Sequence, residues 1–342
     1  MEHTTEHSPF DRLDRESRLR LHALLREVVD GRHRPARPPS DGAPGQGTAM
    51  DNKTTVITGG GSGLGLETAR HLVKLGQSVV LVGRDEVRTR AAADSLAALA
   101  PAGSNATPPR TYTADLEQWS QVRFLATKLT ADGVPVDVLI NNAGAAFPKY
   151  QQTADGVERT YAINHHAPFL LTHALLAERA LTDEARIINM SPFVEKRGKL
   201  DANNPDVGGT SWGNRFYNQP NVYATSKLVS LLAARELARR LPDGMYMYSA
   251  NPGMVKGTAI NSNAGGLMWL TAPLFKPFAI PIEEGVKTPV WLSSALPTPQ
   301  PSGGCFTKSK ADMPSRLAQD DALARCVYDK TAALLGIEPL KR

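Results

Sequence analysis

The sequence predicts an α/β fold, a doubly wound parallel sheet, with an N-terminal helical extension. Three observations carry that expectation. From Lys53 onward short apolar runs alternate with longer segments of helical period, a glycine-rich stretch follows directly on the first run, and no internal repeat is evident. Connections of this length between successive strands are right-handed crossovers, so they place helices on both faces of one sheet.

The first 50 residues stand apart: they contain no Lys and hold four of the eight His. Leu21, Leu24, Leu25 and Val28 follow the i, i+3, i+4, i+7 spacing of an amphipathic helix. Gly31 would end it. Residues 31–50, with Pro35, Pro38, Pro39 and Pro44, read as a linker. The expected organisation is therefore a helical extension over 1–30, a Pro/Gly-rich linker over 31–50 and one Rossmann-type domain over 51–342. Its predicted strands are Thr54–Thr58, Ser78–Val82, Arg110–Thr113, Val136–Asn141, Arg186–Met190, Met245–Ala250 and Gly304–Phe306. Long helical patterns between them include Leu64–Leu75, Val157–Leu181 and Val222–Leu241.

Composition bounds the function. The chain has 342 residues, is 41% hydrophobic, and carries a formal charge of +5. Its basic residues are scattered with no run of five or more, which argues against nucleic acid as a partner. Cys305 and Cys326 are too few for a disulfide framework and lack metal-ligand spacing, so no metal is expected and a reducing, cytoplasmic setting is. No membrane span is expected, because no run approaches 18 apolar residues. His165, His166 and His173 have no acid or Cys at ligand spacing and read as structural.

Between the first strand and its helix lies Thr58-Gly59-Gly60-Gly61-Ser62-Gly63-Leu64-Gly65. A glycine-rich turn there lets backbone approach a pyrophosphate, and the helix N-terminus points N–H groups and a positive dipole at the anion. The second strand ends at Gly83-Arg84. An NAD site usually has an acid at this place for the ribose hydroxyls; Gly83 offers none and Arg84 suits a 2′-phosphate, so the expected cofactor is NADP(H).

The Thr58-Gly-X3-Gly-X-Gly turn, Asn141-Asn142-Ala143-Gly144 and Tyr223-Ala-Thr-Ser-Lys227, in this order and spacing, resemble the short-chain dehydrogenase/reductase family. Within it the chain is similar to the retinol dehydrogenase and protochlorophyllide reductase branch, through Thr153-Ala-Asp-Gly156, Asn164-His165, Arg235-Glu-Leu-Ala-Arg-Arg-Leu241 and Pro252-Gly253. The resemblance implies an NADP-dependent ketoreductase or alcohol dehydrogenase. It places Thr58, Gly59, Gly61, Ser62, Gly63, Leu64 and Gly65 at the pyrophosphate, Asp115 and Leu116 at the adenine, and Asn142, Ala143 and Gly144 beside the adenosine ribose. Pro252, Gly253 and Val255 fall at the nicotinamide. It also implies that Tyr223 is the acid/base, that Lys227 holds the nicotinamide ribose, and that Asn164 supports a water in the proton relay.

Tyr223 and Lys227, at i and i+4, share one helix face. A tyrosine with an ordinary pKa of about 10 is a poor base at neutral pH, so a neighbouring ammonium is expected to lower it. Two places depart from the family pattern. Pro192 occupies the place of the family's serine in Asn189-Met190-Ser191-Pro192, leaving Ser191 as the candidate hydroxyl. Gly257 stands where the family has Thr, with Thr258 one residue late. Segments 195–222, with Trp212, Phe216 and Tyr217, and 256–282, strongly apolar, are expected to shape the substrate pocket. The resemblance implies that they form a lid over a lipophilic or aromatic substrate, with ordinary core or a subunit contact as the equal alternative for the apolar stretch. Reduction of an activated C=C bond and an NADP-binding interaction protein impaired at Pro192 stay open as alternatives, as does a homo-oligomer.

Overall fold

In the computed structural model the described residues are 53–191, 193–214, 216–256 and 279–341. The helical extension 1–30, the linker 31–50, Pro192, Gly257, Thr258 and most of the segment 256–282 therefore lie outside them.

Eight strands form one sheet: β1 (Thr54–Thr58), β2 (Ser78–Gly83), β3 (Arg110–Thr113), β4 (Val136–Asn141), β5 (Leu181–Met190), β6 (Tyr246–Asn251), β7 (Cys305–Thr307) and β8 (Lys310–Asp312). Their order is β3-β2-β1-β4-β5-β6-β7-β8, parallel except for the antiparallel β7–β8 pair. Helices α1 (Gly63–Lys74) and α2 (Glu86–Ala97) follow β1 and β2, and α3 (Trp119–Ala131) follows β3. After β4 the helix α4 starts as Arg159–Tyr161, passes through a π turn at Ala162–His166 and continues as Ala167–Ala177. Then come α5 (Gln219–Ala238), α6 (Ile282–Gly285), α7 (Lys287–Ser294) and α8 (Asp321–Leu335). No helix among the described residues is long and apolar enough to cross a membrane.

Period-2 alternation explains why the strands read as continuous apolar runs: both faces are covered. Val56, Val80, Leu139, Ile187 and Met247 form a row across the sheet that packs on α3, α4, α5 and α8. The next residues, Ile57, Leu81, Ile140, Ile188 and Tyr248, form the row that packs on α1, α2 and α7. Each such side chain contributes about 1.5–3 kcal/mol on burial. A one-residue slip of any strand would exchange its rows, so the register is strongly fixed.

Several boundaries differ from expectation by a residue or so, and the larger departures have identifiable reasons. The helical pattern of Val157–Leu181 is not one uniform helix. Glu158 caps its start by accepting from the Tyr161 N–H at 3.0 Å, the π turn interrupts it, and Arg179 takes φ 55° beyond its end. Leu181 then pairs with Val136, so β5 begins earlier than Arg186. Helix α5 begins three residues before Val222, because Asn218 caps it by accepting from the Asn221 N–H at 3.1 Å and Pro220 fits its first turn. Strand β8 has no apolar run to announce it and is exposed along its length.

Candidate active site

Strands β1 and β4 are neighbours whose chains leave in opposite directions across the sheet, which opens a crevice at their carboxyl ends. The glycine turn lies there. At Gly65 an added Cβ would strike the Gly59 carbonyl oxygen and lie 2.6 Å from Asn142 Nδ2, so helix α1 can dock on the turn only with hydrogen at this position. Gly63, by contrast, takes φ 54°, and a Cβ there would meet no atom within 4 Å among the described residues. The first turn of α1 carries no acidic residue to compete with an anion.

Asn142 braces the turn by donating from Nδ2 to the Thr58 carbonyl at 2.8 Å, and the Ala143 N–H donates to Thr58 Oγ1 at 3.1 Å. The Asn142 side chain is thus a strut between β1 and β4. At the end of β2, Gly83 packs against Thr89, and the exposed Arg84 makes no hydrogen bond or ion pair among the described residues. Its neighbour Asp85 caps α2, accepting from the Arg88 N–H at 2.9 Å. The half-buried Asp115 accepts from the Glu117 N–H and from Gln118 Nε2, both at 3.0 Å, and so shapes the loop carrying Leu116.

The structure brings Asn164, Tyr223, Lys227 and the end of β5 together. Lys227 is buried, and its ammonium donates to the Met190 carbonyl at 2.9 Å, one residue before Ser191. A Cβ placed on Gly144 would sit 3.3 Å from Asn164 Oδ1 and 3.6 Å from Lys227 Nζ, which puts the Asn142–Gly144 loop beside both. Asn164 Oδ1 accepts from the Ala145 N–H at 2.9 Å, while Nδ2 donates to the Ala145 carbonyl and to Ser226 Oγ, each at 2.9 Å. Ser226 passes the chain on to the Tyr223 carbonyl at 2.8 Å. The π turn places Asn164 against both partners, as π bulges at functional sites commonly do. Ser191 Oγ is buried and takes no hydrogen bond among the described residues.

Electrostatics correct one expectation. Lys227 does not lower the Tyr223 pKa; burial drives it upward. The ammonium lies 6.0 Å from the ring centroid and makes its hydrogen bond to Met190 instead. Lys227 is itself pushed down to about 8 by the cost of burying its charge. At neutral pH Tyr223 is therefore a neutral phenol, the form that donates a proton to a developing alkoxide.

Pro252, Gly253 and Val255 follow β6, and Val255 pairs with Ile280 across a parallel bridge. The expectation that Trp212 and Tyr217 line a pocket is corrected. Trp212 is a core residue whose Nε1 donates to the Tyr161 hydroxyl at 3.3 Å, and the Tyr217 hydroxyl donates to the buried Glu158 at 2.9 Å. A carboxylate without solvent draws every nearby donor. Of the three aromatics Phe216 alone is exposed, at 89%. The histidines are packed among aromatic rings, with Nε2 of His165, His166 and His173 facing Thr331, Val207 and Tyr328 at 2.8–2.9 Å. No cluster of metal-ligating side chains forms among the described residues.

Two polar residues at this site escape a motif search. Ser226 lies inside Tyr223–Lys227, where its signal is a small hydroxyl on the buried face. Asn251 precedes Pro252-Gly253, and its signal is the turn chemistry of an Asn two residues before a glycine.

Comparison with known proteins follows the same lines. Residues 53–200 match the family model for short chain dehydrogenase. The chain is 32% identical to "Retinol dehydrogenase 12" of Bos taurus, over 83% of this chain and 87% of that protein. It is 33% identical to "Putative daunorubicin C-13 ketoreductase DnrU" of a Streptomyces strain, over 87% and 97%. Among solved structures, a short-chain dehydrogenase from Sphingobium yanoikuyae in complex with NADPH superposes with a TM-score of 0.53 at 25% identity, covering 70% of this chain and 83% of that one. The chain therefore belongs to the short-chain dehydrogenase/reductase family of oxidoreductases, in its retinol dehydrogenase branch.

Proposed function

We propose that the protein is an NADP(H)-dependent reductase that moves hydride from the nicotinamide to the carbonyl carbon of a lipophilic or aromatic small molecule, with Tyr223 as proton donor. One observation carries this reading: a neutral, buried tyrosine shares a helix face with a buried lysine, and the Asn142–Gly144 loop that braces the glycine turn reaches that lysine. The residues fit the cofactor. Gly63 and its neighbours in the glycine turn would take the pyrophosphate, Asp115 and Leu116 the adenine end, and Arg84 the 2′-phosphate. Lys227, released from Met190, would take the nicotinamide ribose. NADP(H) supplies the hydride; the protein orients it and holds the phenol protonated. Asn164 Oδ1, which accepts from the Ala145 N–H, has a second lone pair with which Asn164 would support a water in the proton relay.

A ketone substrate is supported by the ketoreductase named among the relatives, and NADPH by the bound cofactor of the solved relative. On this reading residues 51–342 are the catalytic unit, and 1–50 lie outside it.

The test is NADPH consumption with a panel of lipophilic aldehydes, ketones and quinones. Turnover with NADPH is expected to exceed that with NADH, with NADPH bound at least tenfold tighter, about 1.4 kcal/mol. Arg84→Ala should erase most of that preference while leaving NADH affinity unchanged. Equal affinity for the two dinucleotides in the unaltered protein would overturn the cofactor assignment.

A further inference from the structure

Beyond Tyr223 and Lys227, the turn after β5 is where this chain departs from its family's sequence pattern, and the structure shows how that turn is held. Pro192 restricts Ser191 to extended backbone. Consistent with this, the Ser191 N–H donates to the Ala250 carbonyl at 2.8 Å, continuing the β5–β6 pairing past Met190 and Ala250. Two residues on, the Phe193 N–H has left the strand. Its partner is the side chain of Asn251, at 3.3 Å to Oδ1. The same oxygen accepts from the Gly253 N–H at 3.0 Å, and Asn251 Nδ2 donates to Thr307 Oγ1 at 3.1 Å. Thr307 in turn donates to Asp312 Oδ2 at 2.6 Å.

One amide thus gathers the turn after β5, the Pro252-Gly253 turn after β6, and β7. An amide oxygen has two lone pairs and here uses both on loop N–H groups that no strand satisfies. Two residues before the anchored Phe193 N–H is the Ser191 hydroxyl, buried and without a partner among the described residues. Immediately before it is the carbonyl that receives Lys227.

We propose that Asn251 is a positioning residue for the reaction: by holding the Phe193 N–H its side-chain oxygen fixes the chain just beyond Ser191, so that the Ser191 hydroxyl meets the substrate oxygen beside Tyr223. This rests on the reductase reading above. It adds a residue that touches neither substrate nor cofactor, and it explains how a chain with proline at 192 keeps a hydroxyl in a defined place.

The test compares Asn251→Ala, which removes the acceptor, with Asn251→Asp, which keeps two-lone-pair oxygens for both N–H groups. With NADPH and whichever aldehyde, ketone or quinone of the panel is reduced fastest, Asn251→Ala should lower kcat at least tenfold while NADPH Kd stays within threefold. Asn251→Asp should recover kcat to within threefold of the unaltered protein. Ser191→Ala should lose turnover as well, and Ser191→Ala combined with Asn251→Ala should lose no more than the worse single change, because both act through one hydroxyl. Amide hydrogen exchange reads the same contact without turnover. In Asn251→Ala the Phe193 and Gly253 amides should exchange at least tenfold faster, with Ile187 and Ile188 in β5 unchanged. Normal turnover in either Ser191→Ala or Asn251→Ala, multiplicative losses in the double variant, or equal damage from Asn251→Asp and Asn251→Ala overturns the proposal. So does unchanged exchange at Phe193. Faster exchange at Phe193 and Gly253 in a protein that reduces none of the panel would instead locate the failure in the reductase reading, with the role of Asn251 in holding the turn intact.

Discussion

Lys227 shows most directly what the site costs. A fall from the usual 10.5 to about 8 corresponds to about 3 kcal/mol against burying the ammonium, of which its hydrogen bond to Met190 recovers roughly 1 kcal/mol. Lys227→Met keeps the length and removes the charge. It is expected to raise stability at pH 7 by about 1–2 kcal/mol in chemical denaturation, and to abolish turnover. The sign with pH follows from protons bound. Between about 8 and 10.5 the unfolded lysine holds a proton that the folded one has lost, so the unaltered protein gains stability as pH rises through that window, and the advantage of Lys227→Met shrinks. A stability difference that does not change with pH would mean the charge is not buried. Tyr223→Phe, which removes only the hydroxyl, should leave NADPH affinity within a few-fold and lower kcat by about 10²- to 10⁴-fold. Retention of full turnover would assign the proton to another group.

At the scale of elements, the site depends on where helices meet strand ends. The docking of α1 on the glycine turn leaves no room at Gly65, whose hydrogen faces the Gly59 carbonyl and the Asn142 strut. Gly65→Ala must separate helix from turn, and overpacking of this kind costs about 1–3 kcal/mol. The expected result is at least tenfold weaker NADPH binding by fluorescence titration, with a smaller relative change in the rate of the bound complex. Gly63→Ala meets no atom within 4 Å but requires φ 54°, so it should cost about 1 kcal/mol in stability through backbone strain alone. Equal effects of the two changes on NADPH binding would show that packing at Gly65 does not shape the site. The π turn at Ala162–His166 is the second such junction. It lets Asn164 reach both Ala145 and Ser226, joining β4's loop to α5.

For the whole molecule, acid stability follows from the aromatic layer between α4 and α8. Burial pushes His166 and His173 down to about 4, and His165 well below its usual value too. Each must stay neutral in the folded chain, whereas the unfolded chain protonates it near 6.5. Stability is therefore fully present above about 6.5 and is lost as pH falls toward 4. Thermal melts from pH 7 to 4.5 should show a steep drop in Tm, and His173→Gln, which no longer titrates, should flatten it despite a lower Tm at pH 7. An unchanged slope in that variant would place the acid sensitivity elsewhere.

Much of this architecture was legible in the chain alone. The strands β1, β3 and β4 were bounded to the residue: β1 and β4 because buried parallel strands leave short runs rich in apolar and β-branched residues between turn residues, and the half-exposed edge strand β3 through its alternating Thr and Tyr. The glycine turn and the Tyr223–Lys227 spacing were equally legible, since each is local: one is a strand-to-helix turn, the other a single helical turn. The structure alone decided what depends on distant residues. The π turn in α4 sets Asn164 against Ala145 and Ser226, partners 19 and 62 positions away in the chain. Trp212 and Tyr217 became packing around Tyr161 and Glu158, since composition cannot tell an aromatic that lines a pocket from one that satisfies a buried partner. Burial alone pushes the Tyr223 pKa upward, with the ammonium 6.0 Å from the ring centroid and bonded to Met190, an arrangement that spacing along a helix does not reveal. Asn251 gained its place by joining residues 58 and 56 positions apart. Local sequence determines which elements form and which turns they make; hydrogen bonds and burial across the fold determine which side chains those turns leave free to act.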